Sequence, residues 1–106
     1  MVIDTGIFIE HLRAKDKLAT TLYKISDNSE LFISSVSLYE LYMGARTKDK
    51  KKDIRNITED LTVLPFTDTV AHKAAQIYHQ LRLNNQMIEF RDIFIAATCI
   101  INELPQ

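Results

Sequence analysis

Short apolar-rich runs alternate along the chain with stretches in which apolar residues recur at helical spacing. The runs cover residues 1–3, 30–34 and 61–66, and each is followed by a polar residue. We expect them to form strands, because a short apolar run suits a strand that is buried on both faces of a parallel sheet. Strands separated by helical stretches predict an α/β domain with helices on the faces of a parallel sheet.

The first helices are placed by apolar spacing and by capping residues. Ser37, followed by Glu40 three residues later, matches the box in which a Ser caps the first turn and a Glu bonds back to the cap. The helix that they open is expected to end near Gly44. Together, the spacing predicts helices over 5–14, 18–25, 37–44 and 48–60, and a turn at 26–29.

Two further helices follow the third predicted strand. Thr67 is expected to cap the first of them, and Asp92 is expected to open the second. The first helix carries one continuous apolar face, formed by Val70, Ala74, Ile77 and Leu81. The second is nearly all apolar, and its expected inner face consists of Ile93, Ala96, Ala97, Ile100 and Ile101.

Length and composition limit the class of protein. A chain of 106 residues, 46% hydrophobic and 25% charged, is expected to form one globular domain over 1–106. Its single cysteine, Cys99, excludes a disulfide framework and fits a reducing compartment such as the cytoplasm. No run reaches the roughly 20 apolar residues that span a bilayer, so we expect no membrane association.

Charge is unevenly distributed. The formal net charge is −1, yet residues 46–55 (RTKDKKKDIR) carry six Lys or Arg against two Asp, a local +4. Such a segment is often only a solvated helix. The alternative is contact with a phosphate backbone, which fixes the position of RNA and not its sequence. The candidate RNA-binding residues are Arg46, Lys48, Lys50 and Lys51.

Three acidic residues stand where the predicted elements would direct them to one place. Asp4 follows the first strand, Glu40 lies in the helix after the second, and Asp92 opens the last helix, at intervals of 36 and 52 residues. In open α/β sheets, ligands bind beyond the carboxyl ends of the strands. Carboxylates that are forced together repel unless a cation lies between them, and Mg²⁺ prefers such oxygen ligands. Taken singly, each acid is better explained as a turn or helix-start residue, and only the joint pattern favours a metal site.

Four segments in this order carry a resemblance to a known family. They are DTGIFIE at 4–10, ISSVSLYELYMG at 33–44, AQIYHQLR at 75–82 and IEFRDIFIAAT at 88–98. The chain resembles PIN domains and, among them, the VapC-like toxins of prokaryotic toxin–antitoxin pairs. The resemblance implies a PIN-like, Rossmann-like three-layer fold, with a parallel sheet of three to four strands flanked by helices.

The resemblance also implies an activity and a site. It implies an endoribonuclease that depends on Mg²⁺ or Mn²⁺, has a cognate antitoxin and forms a homodimer. It assigns both catalysis and metal binding to Asp4, Glu40 and Asp92, and supporting roles to Thr5 and Glu89. Members of the family continue beyond the point that corresponds to Gln106, through a further strand, so we expect a C-terminally truncated domain whose activity depends on what that strand contributes.

Two other functions stay open at this point. A PIN-like module with impaired catalysis could serve only to bind an antitoxin or a dimer partner. A phosphoacceptor receiver domain is also α/β with an acidic cluster, but it needs adjacent acids after the first strand and a late Lys. Asp4 is followed by Thr5, and no Lys follows Lys73, so this alternative ranks last.

Overall fold

The structure is a computed structural model, and it describes residues 1–16, 20–22, 30–86 and 88–104. The predicted helix over 18–25 and the turn at 26–29 lie for the most part outside these residues. Within the described ranges, helices and short strands alternate as the apolar pattern predicts. In chain order the elements are α1 (Thr5–Arg13), β1 (Phe32–Ser34), α2 (Ser35–Gly44), α3 (Lys48–Thr58), β2 (Thr62–Leu64), α4 (Asp68–Leu83) and α5 (Phe90–Ile101).

The sheet is parallel, with β1 in its centre. β1 pairs with β2 in parallel, with Ile33 opposite Val63. On its other side, Phe32 forms a single parallel bridge with Val2. The strand predicted over 1–3 is thus reduced to one bridge, because Asp4 already caps α1 and leaves no further residue to extend the pairing.

Side chains on the two faces of the sheet enter separate parts of the core. On one face Ile3 and Ile33 are in the cluster that includes Phe8 of α1, Leu41 of α2 and Ile54 of α3. On the other face Val2 and Leu64 pack with Ile95 and Cys99 of α5. This alternation follows from the two-residue period of a strand, and it produces the expected three layers.

The predicted apolar face of helix α4 is confirmed. Thr67 accepts a hydrogen bond from the amide of Val70, as expected of a capping residue. Val70 and Ala74 are buried against α5, and Ile77 and Leu81 pack at the edge of the same cluster.

Helix α5 differs from its prediction in start and in orientation. It begins at Phe90 with Glu89 as its N-cap, and Asp92 lies in the first turn instead of opening it. Ile100 and Ile101, expected on the inner face, are 51% and 37% exposed. One side of the helix packs against the sheet and another side packs against α4. The buried residues therefore extend over more of its circumference than the single face that the sequence predicts. The buried residues are Ile93, Ile95, Ala97, Thr98 and Cys99.

No helix among the described residues is long and apolar enough to cross a bilayer.

Candidate functional site

Glu40 is the centre of the candidate site, because two distant segments donate hydrogen bonds to its carboxylate. The hydroxyl of Thr5, at the start of α1, donates to Oε1 at 3.1 Å. A guanidinium nitrogen of Arg91, at the start of α5, donates to Oε2 at 3.2 Å. The Glu40 side chain is only 14% exposed. Three helices therefore meet at one half-buried carboxylate.

The junction between β1 and α2 determines where Glu40 points. Ser34, fully buried at the end of β1, caps α2 by accepting from the amide of Ser37, and its hydroxyl also donates to the hydroxyl of Ser37. The prediction that Ser37 is the cap, with Glu40 completing a capping box, is wrong. Because the cap is Ser34, three residues before Ser37, Glu40 lies beyond the first turn of the helix and interacts with α1 and α5.

Asp4 follows the first strand segment, and it caps α1. Its Oδ1 accepts a hydrogen bond from the amide of Ile7 at 3.2 Å. A Cβ added at Gly6 would lie only 3.2 Å from this oxygen, so the glycine leaves room for the carboxylate beside the helix start. Asp4 is exposed, and it directly precedes the residue that bonds to Glu40.

Arg91 connects Glu40 to a second acid. Its other guanidinium nitrogen lies 3.0 Å from Oε2 of Glu89. The hydrogen bond to Glu40 is the largest cause that raises the pKa of Arg91, and the charges of Glu89, Glu40 and Asp92 raise it further. Asp92 is the next residue on α5, and it is exposed. The segments that carry all three predicted acids thus adjoin one another through Thr5, Glu40 and Arg91.

The carboxylates themselves do not converge as ligands. Across residues 1–16, 20–22, 30–86 and 88–104, no three His, Cys, Asp or Glu side chains are grouped so that they could hold a metal ion. Asp4 points toward a backbone amide, and Glu40 pairs with Arg91. The assignment of Asp4, Glu40 and Asp92 as metal ligands stays a prediction.

The chemistry of the side chains nevertheless fits a hard cation. Carboxylate and hydroxyl oxygens are the donors that Mg²⁺ and Mn²⁺ prefer. A positive group, the guanidinium of Arg91, already lies against the half-buried oxygen of Glu40. This position accommodates positive charge.

Two clefts border Glu40. One, of about 300 Å³, opens between α1, α2 and α3, and Arg13, Lys50 and Asp53 contribute charges to it. Its apolar lining consists of Ile9, Leu12, Leu41, Ala45 and Ile54.

The second cleft is a groove of about 450 Å³ that contains both Glu40 and Arg91. Its lining is otherwise mainly apolar, and Phe66 and Phe94 meet there edge to face with ring centroids 4.8 Å apart. Tyr39, in the same groove, is 64% exposed. The Glu40 carboxylate therefore borders one cleft that carries several charged side chains and one groove that is mainly apolar.

The candidate RNA-binding residues are all exposed. Arg46 lies just before α3, and Lys48, Lys50 and Lys51 lie in its first turns. Of the four, only Lys50 lines the 300 Å³ cleft that contains Glu40. The structure thus separates one lysine beside the candidate site from three cations outside that cleft.

Sequence reasoning missed two residues that define this site. Arg91 received no role, although a guanidinium beside Asp92 and two residues after Glu89 was a visible signal. Ser34 was expected at the end of a strand and Ser37 at the cap, although Ser34 precedes Ser37 by the same three residues that separate Ser37 from Glu40.

Comparisons with known proteins place the chain in a family. The chain is 28% identical over 104 residues to ribonuclease VapC10 of Mycobacterium tuberculosis, covering 98% of this chain and 77% of that protein. It shares its fold with DNA-bound VapBC from Salmonella typhimurium, with a TM-score of 0.80, 23% identity and coverage of 97% and 80%. A toxin–antitoxin complex from Klebsiella pneumoniae matches with a TM-score of 0.75, 16% identity and the same coverage. The PIN domain description matches residues 1–105, and the chain therefore belongs to the PIN domain family.

Proposed function

We propose that the protein is a metal-dependent endoribonuclease that cleaves RNA phosphodiester bonds. The observation that carries the proposal is the meeting of Thr5, Glu40 and Arg91, which brings the segments of all three predicted acids to one half-buried carboxylate. The similarity to a protein named as a ribonuclease supports RNA as the substrate.

Asp4, Glu40 and Asp92 would hold Mg²⁺ or Mn²⁺. When bound, such a cation supplies Lewis-acid polarisation of a phosphodiester and activates water for attack. Thr5 holds one oxygen of Glu40 in place by donating to it, which orients the other oxygen toward α5. Glu89 supports the site indirectly, because it holds the guanidinium that contacts Glu40.

Lys50 and its neighbours on α3 would attract the RNA backbone. Lys50 lines the cleft beside Glu40, whereas Arg46, Lys48 and Lys51 contribute to the positive field around it. Phosphate contacts of this kind give affinity without sequence preference.

A cognate antitoxin is the proposed protein partner. The fold is shared with a toxin–antitoxin complex, and the groove that contains Tyr39, Phe66 and Phe94 offers apolar surface beside the candidate site. We further propose a homodimer that acts in the cytoplasm, where its RNA substrates are found.

Cleavage of a mixed pool of single-stranded RNA oligonucleotides, titrated with MgCl₂ or MnCl₂, tests the activity. We expect cleavage that EDTA abolishes and that a DNA pool of the same sequences does not undergo. In Asp4→Asn the rate should fall about 100-fold or more, since metal polarisation supplies several kcal/mol of the rate acceleration.

The substitution is chosen because Asn caps helices as well as Asp does, so the cap of α1 is retained. Thermal unfolding of both proteins checks this. Equal cleavage by Asp4→Asn and the parent would show the metal assignment to be wrong. Absence of cleavage by a folded parent would favour the alternative, a catalytically impaired module that binds an antitoxin or dimer partner through the apolar groove.

A further inference from the structure

Arg91 is held between two carboxylates of unlike environment. One guanidinium nitrogen contacts Glu40, whose side chain is 14% exposed, and the other contacts Glu89, whose side chain is 68% exposed. The pair with Glu40 joins α5 to α2 across 51 residues of sequence, whereas Glu89 is the N-cap of the same helix. The guanidinium thus has one partner in the candidate site and one at its solvent edge.

The contact with Glu40 matters because it uses an oxygen that a divalent cation would need. Oε1 of Glu40 accepts from Thr5 and Oε2 accepts from Arg91, so each oxygen already has a donor. A guanidinium and a metal ion both favour the lone pairs of a carboxylate, and two positive groups at one oxygen repel.

Release of Arg91 from Glu40 does not leave its charge unpaired. Glu89 stays within 3.0 Å of the second nitrogen, and the Arg91 side chain is already 54% exposed. The adjacent acid Asp92 adds further negative charge at this helix start. A small movement of the guanidinium toward Glu89 would therefore free Glu40 at little cost.

We propose that Arg91 is an internal counterion that competes with divalent cations for Glu40, so that metal binding at Glu40 is coupled to release of the guanidinium, which keeps its contact with Glu89. The inference rests on the proposed function, since it concerns the same metal site. It adds a residue that sets metal affinity without being a ligand.

Titration of the full chain with MnCl₂ in the absence of RNA, followed by calorimetry, tests the competition. Arg91→Gln should bind Mn²⁺ roughly fivefold more tightly than the parent, since it removes one positive charge beside the ion. Arg91→Lys keeps the charge and should stay close to the parent. Arg55→Gln, at an exposed arginine in the last turn of α3, is the matched control and should leave affinity unchanged.

A second measurement needs no substitution at Arg91. In the parent protein, the side-chain Nε–H resonance of Arg91 should shift during a titration with MgCl₂, with the same midpoint as the binding isotherm. The Arg55 resonance should not move.

The outcomes separate this inference from the proposed function. If the parent binds Mn²⁺ and Asp4→Asn does not, while Arg91→Gln binds with unchanged or weaker affinity, the competition is wrong and the metal site stands. Weaker binding would indicate that Arg91 instead orients Glu40 for the metal. If neither the parent nor Arg91→Gln binds Mn²⁺, both proposals fail together.

Discussion

Two charged regions on consecutive helices are held in opposite ways. Glu40 on α2 is half-buried, and its two oxygens are bonded to residues 35 and 51 positions away in the sequence. The basic helix α3 carries exposed lysines, and its first turn is held by Thr47, which accepts from the amide of Lys50 only three residues along. Tertiary contacts hold one region, and local contacts hold the other.

The difference indicates what each region can do. A carboxylate in a fixed, low-water position can orient a ligand, because its partners restrict it and the local dielectric strengthens each contact. The interactions of lysines in solvent are largely screened by salt beyond about 10 Å at ordinary ionic strength. Such lysines act on a ligand through their summed field. We therefore expect the Glu40 region to orient a bound ligand, and the lysines of α3 to attract a polyanion.

Removal of the helix caps is expected to give the largest effect that distinguishes the two regions. Ser34→Ala should lower the free energy of unfolding by about 1–2 kcal/mol, because it removes the cap of α2 and leaves the buried hydroxyl of Ser37 without one partner. Thr47→Ala removes the exposed cap of α3 and should cost about 0.5–1 kcal/mol.

Urea unfolding of both variants, with the same slope as the parent, gives the comparison. Equal losses at the two positions would contradict the distinction between a buried and a solvent-exposed helix start.

Thr5 gives a smaller test inside the Glu40 region. Thr5→Val keeps the shape of the side chain and removes the donor to Glu40. We expect the rate of RNA cleavage to fall about three- to tenfold, which corresponds to the roughly 1 kcal/mol net contribution of one hydrogen bond. Thr5→Ser keeps the donor and should restore most of the rate. A rate in Thr5→Val equal to that of the parent would mean that Glu40 is positioned without this bond.

The smallest effects are expected on α3, where two lysines of the same helix can be compared. Lys51→Gln should weaken binding of single-stranded RNA about twofold and reduce the slope of log affinity against log salt by about 0.7. Lys50→Gln should change the slope similarly and should also raise KM for cleavage, because Lys50 lines the cleft of Glu40. Fluorescence anisotropy at several salt concentrations and steady-state kinetics provide the two readouts. An equal KM for the two variants would contradict the expectation that Lys50, but not Lys51, contributes to substrate binding beside Glu40.

Much of the fold follows from rules that act over a few residues. The cap at Thr67 and the buried face from Val70 to Ala74 were predictable from spacing and residue type. The alternation of strands and helices also predicted that the sheet is parallel, although not which strands pair. The sequence also carried the family resemblance that the comparison with PIN domains confirms.

The tertiary structure decided which of several locally equivalent choices is used. Ser34 and Ser37 are equally good caps by residue type, and the end of β1 selects Ser34 because it buries that hydroxyl at the strand–helix junction. With Ser34 as the cap, Glu40 takes no part in capping, and its carboxylate accepts hydrogen bonds from Thr5 and Arg91. Helix caps depend on neighbours three or four residues away, whereas contacts across 35 and 51 residues exist only once the helices have packed.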